Sequence, residues 1–143
     1  MPHAITWLMP NRIIYFRVYG TVTTDELPGT DSTVLEMLEQ SGTEKVHILY
    51  DDTQLDKMPG ITDMLSLKYI RDERIGWIIT PQRNAFIRFI GSVVGQTVGV
   101  KFRFVPDLVS GLEVLKRMDM SLPDTTTLAE MLIEASEKTR GRA

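Results

Sequence analysis

The chain has no cysteine. That single absence removes disulfides, iron–sulfur clusters, thiolate zinc sites and cysteine nucleophiles. A bilayer-spanning run is missing too. The longest uncharged apolar segment, residues 89–100, sits between Arg88 and Lys101 and falls short of the ~20 residues a transmembrane helix needs. Met1-Pro2-His3-Ala4 lacks the basic start and long apolar stretch of a secretion signal, so the expected location is the cytoplasm. Positive charge is not in excess: 16 Lys and Arg stand against 19 Asp and Glu, a net charge of -3. A protein that neutralises many phosphates needs a basic face, so nucleic acid is not an expected partner. There is no internal repeat and no low-complexity tract.

What remains is ordinary globular composition. The 143 residues are 43% apolar and 24% charged, enough to close a core without staples. Ile5 to Met9 reads as a short strand and Pro10-Asn11 as a turn. Ile13 to Tyr19 then alternates, with Ile14, Phe16 and Val18 on one face and Ile13, Tyr15, Arg17 and Tyr19 on the other. The tight connection predicts an antiparallel hairpin. Pro28-Gly29 interrupts the next segment, and Thr33-x-x-Glu36 makes a capping box that predicts a helix start at Thr33. Val46 to Tyr50 reads as a central strand buried on both faces, followed by a loop from Asp51 to Gly60.

Ile61, Met64, Leu65 and Lys68-Tyr69 recur at helical spacing. Ile75 to Thr80 is a strand, Arg83 to Val98 a long amphipathic helix, and Val100 to Val105 a further strand. Pro106-Asp107 caps a helix with Leu108, Leu112 and Leu115 on its core face. Strands alternating with helices imply crossover units and a largely parallel sheet. Residues 1–118 form this α/β unit. Residues 119–143 read as a linker and a C-terminal amphipathic helix, with a second capping box at Thr127-x-x-Glu130 and an apolar stripe of Leu128, Met131, Leu132 and Ala135. Such a stripe needs a cover: the sheet face carrying Tyr15, Arg17 and Tyr19, or a second subunit in a homodimer.

This order of elements, with Gly20-Thr21-Val22-Thr23 after the second strand and Leu49-Tyr50-Asp51-Asp52 after the third, resembles the STAS superfamily, nearest its SpoIIAA-like branch. The resemblance covers roughly residues 5 to 118. It implies a mixed, mostly parallel five-stranded sheet, its first strand antiparallel to the rest, with helices mainly on one face. It also implies a regulatory module that binds a partner. In the regulatory branch the loop after the third strand carries an Asp-Ser-Ser/Thr-Gly-type motif whose serine is phosphorylated. The matching stretch here is Lys57-Met58-Pro59-Gly60, where only the glycine agrees. Thr62 and Ser66 lie downstream of the motif position. The branch is further linked to membranes and hydrophobic ligands.

Several constellations carry two readings. Asp51, Asp52 and Asp56 follow a central strand at the edge where α/β sheets bind ligands, so they could hold magnesium or share a proton; a solvated acidic loop is the plainer reading. His47 has no predictable partner and reads as a hydrogen-bonded core histidine. Ser92, in Gly91-Ser92-Val93, is outside the G-x-S-x-G pattern. Gly91, Gly95 and Gly99 lie on one side of the long helix, where they allow close approach to the sheet or to a partner, and no phosphate-loop lysine follows. Arg83, Arg88, Lys101 and Arg103 near Phe86 and Phe89 fit an anionic lipid or acidic surface, but snorkelling arginine stems are the favoured reading.

No catalytic, cofactor or metal site is expected, and the chain is read as a non-enzymatic interaction module. Its expected docking surface is Asp56, Lys57, Met58, Pro59, Gly60 and Thr62. The alternative is a carrier or sensor of a small hydrophobic ligand held by Phe86, Phe89 and Ile90.

Overall fold

The computed structural model describes residues 3–42 and 45–140. Five strands form one sheet in the order β1 (His3–Met9), β2 (Ile13–Thr21), β3 (Val46–Lys57), β4 (Ile75–Thr80) and β5 (Lys101–Phe104). β1 pairs antiparallel with β2, and the other pairs are parallel. The hairpin turns through Asn11 at φ 67°, a left-handed conformation that Asn tolerates.

Each parallel step moves the chain one place along the sheet in the same direction. Right-handed crossovers therefore put α1 (Leu27–Ser41), α2 (Ile61–Leu65) and α3 (Ala85–Val98) on one face. The other face is covered by α4 (Leu108–Met118) and α5 (Thr125–Arg140). Strand residues are thus buried in alternation. Ile14, Phe16, Ile48 and Ile78 meet Val34, Leu38, Ile90 and Val94 on the α1–α3 side. Their neighbours Ile13, Tyr15, Leu49 and Ile79 meet Leu112, Leu115, Leu128 and Leu132 on the other. Truncating a fully buried residue such as Leu115 or Leu128 to alanine costs about 3 kcal/mol.

The C-terminal stripe is spent inside the chain. α5 packs on β1 and β2, burying Leu128, Leu132 and Ala135 over Tyr15. Of the two covers expected for it, the sheet face is the one used.

Four local readings are corrected. α1 begins at Leu27, because Pro28 falls in the first turn, where its missing N–H costs nothing; the Thr33 hydroxyl donates back to the Gly29 carbonyl at 3.0 Å. α5 is capped by Asp124, whose carboxylate accepts the Thr127 N–H at 2.8 Å, rather than by Thr127. The helix after Gly60 is only five residues long. It gives way to a turn whose Lys68 and Tyr69 amides are captured by the buried Asp31 carboxylate at 2.9–3.0 Å. β3 does not stop at Tyr50: it stays paired with β2 as far as Thr21↔Lys57, across two register shifts.

α3 is capped by the Asn84 side chain, which accepts from the Phe86 and Ile87 amides. Of the three glycines, Gly91 and Gly95 are filled by the sheet, whereas Gly99 is the left-handed C-cap at φ 76° with open space beside it. A Cβ on Gly91 would lie 3.3 Å from Phe104, and one on Gly95 3.3 Å from Phe102. The missing side chains let α3 settle directly on the aromatic side chains of the edge strand.

Candidate functional site

Extending β3 dissolves the acidic loop. Asp51 and Asp52 are consecutive strand residues and so point to opposite faces. On the α4–α5 side Asp51 accepts the Tyr15 hydroxyl proton and, at 2.8 Å, that of Thr53. Burial, then the bond to Asp51, pushes the Tyr15 phenol well above its usual range. On the α1–α3 side Asp52 is 4% exposed and accepts from the Thr80 hydroxyl at 2.8 Å. Its backbone carbonyl accepts from the Gln82 amide at 3.4 Å. Asp56 is exposed near the end of the strand. Among the described residues no three His, Asp or Glu side chains converge as a metal would require.

Asp52 opens into a cleft at the carboxyl ends of β3, β4 and β5, beneath α2 and α3, where parallel sheets commonly bind ligands. The open space is about 50 Å³ and its walls are mainly apolar, with Tyr50, Tyr69, Phe102 and Phe104 supplying four rings. Met58 and Met64 line the α2 side, and Ile87, Ile90, Gly91 and Val94 the α3 side. Burial pushes the Asp52 carboxyl up to about 6, against the lowering effect of its bonds from Thr80 and Gln82; nearby Asp51 pushes the same way as burial.

Of the three residues expected to line a hydrophobic pocket, only Ile90 does. Phe86 and Phe89 stand on the outer surface of α3, 69% and 58% exposed. The long helix is apolar over more than one face, and its inner stripe runs Ile87, Ile90, Val94. Spacing from the N-cap separates the two sets, because Phe86 and Phe89 lead that stripe by one position each.

The expected docking residues fall at one corner. Asp56 and Lys57 end β3 on the surface, Met58 is half-buried in the cleft wall, and Pro59 is buried. Gly60 precedes α2 and Thr62 is exposed within it; Ser66, also exposed, turns its hydroxyl back onto the Asp63 carbonyl. The basic stretch is spread out. Arg88 stacks on Phe104 at 5.0 Å, Lys101 reaches over Trp77 at 5.6 Å, and Arg83 donates to the Pro106 carbonyl at 3.2 Å. Phe104 belongs to the α3 side of the sheet and Trp77 to the α4 side. No helix among the described residues is long and apolar enough to cross a membrane.

Sequence reasoning missed a second polar centre, at the amino edge of the sheet. His47 is 4% exposed and both its ring nitrogens are engaged. The Trp77 backbone N–H donates to Nδ1 at 3.0 Å, so the remaining proton is on Nε2 and points at Asp119, 3.0 Å away. Asp119 also accepts from Arg12 at 2.7 Å and from the Ser121 hydroxyl at 2.5 Å. Burial of the ring, outweighing the Asp119 carboxylate, lowers the His47 pKa. Burial would raise Asp119, yet the bonds from Ser121, His47 and Arg12 hold it far below the usual carboxylate range. Gly76 leaves the room for this: a Cβ there would sit 2.6 Å from His47 Cε1 and closer still to Nδ1. Arg12 and Asp119 are 107 residues apart, so nothing local in the sequence announces the pair.

In sequence the chain matches no protein-family model and no curated protein. In structure it is similar to an uncharacterised protein of the DUF3478 family with a SpoIIAA-like fold, from Shewanella loihica PV-4. The TM-score is 0.60 and the identity 17%, over 79% of this chain and 91% of the other. The protein is therefore an α/β protein with a SpoIIAA-like fold. At that identity the likeness is one of fold alone.

Proposed function

We propose that the protein is a non-enzymatic regulatory module that binds a protein partner through the α2–α3 face. The observation that carries this reading is the pair Phe86 and Phe89, exposed one turn apart on α3, the helix that packs beside α2. Exposed aromatics on a rigid helix are the usual anchors of a binding surface. The corner from Asp56 to Thr62 extends the same face. Support also comes from the titratable groups. His47 has no free ring nitrogen, and Asp51 and Asp52 face opposite sides of the sheet, so these three residues do not form an acid–base pair over a common substrate position. With Pro59-Gly60 at the motif position, regulation by a phosphoserine there is not part of this reading.

The test is partner capture with the full chain and with a Phe86→Ser/Phe89→Ser variant of unchanged circular dichroism. A partner held by the parent and lost by the variant is expected. Equal capture by both removes α3 from the interface.

A second reading, a carrier or sensor of a small ligand, is favoured by the cleft beneath α3. Native mass spectrometry of the purified protein checks it: a bound small-molecule mass supports it, and a bare chain counts against it.

A further inference from the structure

The cleft beneath α2 and α3 combines three features that apolar packing alone does not call for. A carboxylate, Asp52, lies 4% exposed in its wall. Among the described residues that carboxylate makes no ion pair, and no lysine or arginine lines the cleft. The other titratable side chains facing the space, Tyr50 and Tyr69, are held as neutral phenols by burial, and the acid acting on Asp52 from β3 is Asp51, of like sign. A buried carboxylate without a counter-charge takes up either a proton or a cation.

The surroundings suit an organic cation. Tyr50, Tyr69, Phe102 and Phe104 turn rings to the cleft, and aromatic faces attract ammonium groups while covering their carbon substituents. One wall already makes this interaction, since the Arg88 guanidinium stacks on Phe104 at 5.0 Å. An organic cation fits better than a bare metal ion, because Asp52 is the one carboxylate among the lining residues and a hard cation takes about six or more oxygen ligands. Size limits the ligand: an opening of about 50 Å³ holds roughly four water-sized groups, the dimensions of a short alkyl chain. Met58 and Met64 give the α2 wall room to adapt.

We infer that this cleft is a binding site for a small alkylammonium ion, its charge on the Asp52 carboxylate and its carbon chain among the four rings. Thr80 orients the carboxylate through its 2.8 Å bond and is a positioning residue. The inference rests on the reading of the cleft as open to a ligand, and narrows that reading from a hydrophobic molecule to a cationic one. Proton and ligand compete for the same oxygen atoms. With the Asp52 carboxyl at about 6, ammonium binding weakens about tenfold between pH 7.5 and pH 5.

The test titrates the full chain with n-propylammonium and with n-propanol, its neutral counterpart of similar shape, at constant ionic strength, following backbone amide shifts of the cleft residues. At pH 7.5 the ammonium is expected to bind at least tenfold more tightly than the alcohol, and Asp52→Asn to erase that preference. The pH 5 arm on the parent protein needs no substitution and should show the tenfold loss. Equal binding of both probes at pH 7.5, or ammonium binding that ignores pH and Asp52→Asn, overturns the inference while leaving the cleft open to apolar ligands. Binding of neither probe overturns the inference and the open-cleft reading together.

Discussion

Two carboxylates, one half-buried and one buried, sit at opposite ends of the same sheet, and their surroundings drive them in opposite directions. At the amino edge Asp119 accepts from Arg12, His47 and Ser121 and is held ionised. At the carboxyl edge Asp52 has neutral donors and apolar walls, and its pKa rises to about 6. The first arrangement ties the hairpin turn, β3 and the end of α4 together across more than a hundred residues. The second leaves a charge unbalanced in the place where the fold offers a cleft. An acid paired with a cation holds the structure; a buried acid with neutral donors and no counter-charge is the candidate place for a cationic ligand.

The difference predicts opposite pH dependences. His47 has a folded pKa below its free value of 6.5, so its contribution is whole above that pH and is lost as pH falls below it. Asp119, depressed from 3.8, adds a further loss only in stronger acid. Asp52 is raised from 3.8 to about 6, so its contribution is greatest below pH 4 and is lost as pH rises through 4 to 6.

The largest effect is expected from breaking the closed centre by steric means. In Gly76→Ala the new methyl would fall 2.6 Å from His47 Cε1 and closer to Nδ1, forcing the ring off both its partners. A loss of about 3 kcal/mol in urea unfolding is expected; a loss below about 1 kcal/mol would mean that the strand shifts to admit the methyl and that the ring's place is not fixed by Gly76. Asp119→Ala comes next. It leaves His47 Nε2–H without its acceptor and Arg12 with only the Ser121 hydroxyl, and because both side chains of the Arg12 pair are partly exposed the cost is discounted to about 2 kcal/mol.

Asp52→Asn should do the reverse. The amide keeps the shape and removes the buried charge, so the variant gains about 2 kcal/mol at pH 8 and nothing at pH 4. Urea titrations at the two pH values check this. A destabilised variant at pH 8 would place Asp52 with Asp119 among the structural acids and collapse the comparison.

How much of this is legible in the sequence depends on distance along the chain. The alternation of Ile13 to Tyr19, the hairpin and the crossover order of strands and helices rest on local periodicity, and the sheet follows them. β3 reads short because Asp51 to Lys57 is largely polar. Its backbone partner β2 runs alongside it there, but pairing is a property of two segments, and the pattern within one of them does not report it. The candidate site suffers the same way. Phe86 and Phe89 read as inward-facing because a helix apolar on several faces does not say which face meets the sheet. Gly91 and Gly95, whose missing side chains are filled by Phe102 and Phe104, are the better guide to the inner side. His47 is the hydrogen-bonded core residue its surroundings in sequence suggest, yet its partners are Trp77 and Asp119, and only folding brings them to it.

The smallest expected effect sharpens the comparison most finely. Thr80→Val deletes the one side-chain hydroxyl bonded to Asp52 and replaces it with a methyl of similar size. That hydroxyl donates to the ionised form and so lowers the carboxyl pKa against the larger opposing effect of burial. Without it the Asp52 midpoint should move further up, by about half to one pH unit, as read by NMR titration of the side-chain carboxyl carbon. Stability at pH 4, where the acid is neutral in the parent, should change by less than about 1 kcal/mol, the net worth of one hydrogen bond. An unmoved or lowered midpoint would mean that other donors satisfy the carboxylate, and Asp52 would then resemble Asp119 more than its apolar walls imply.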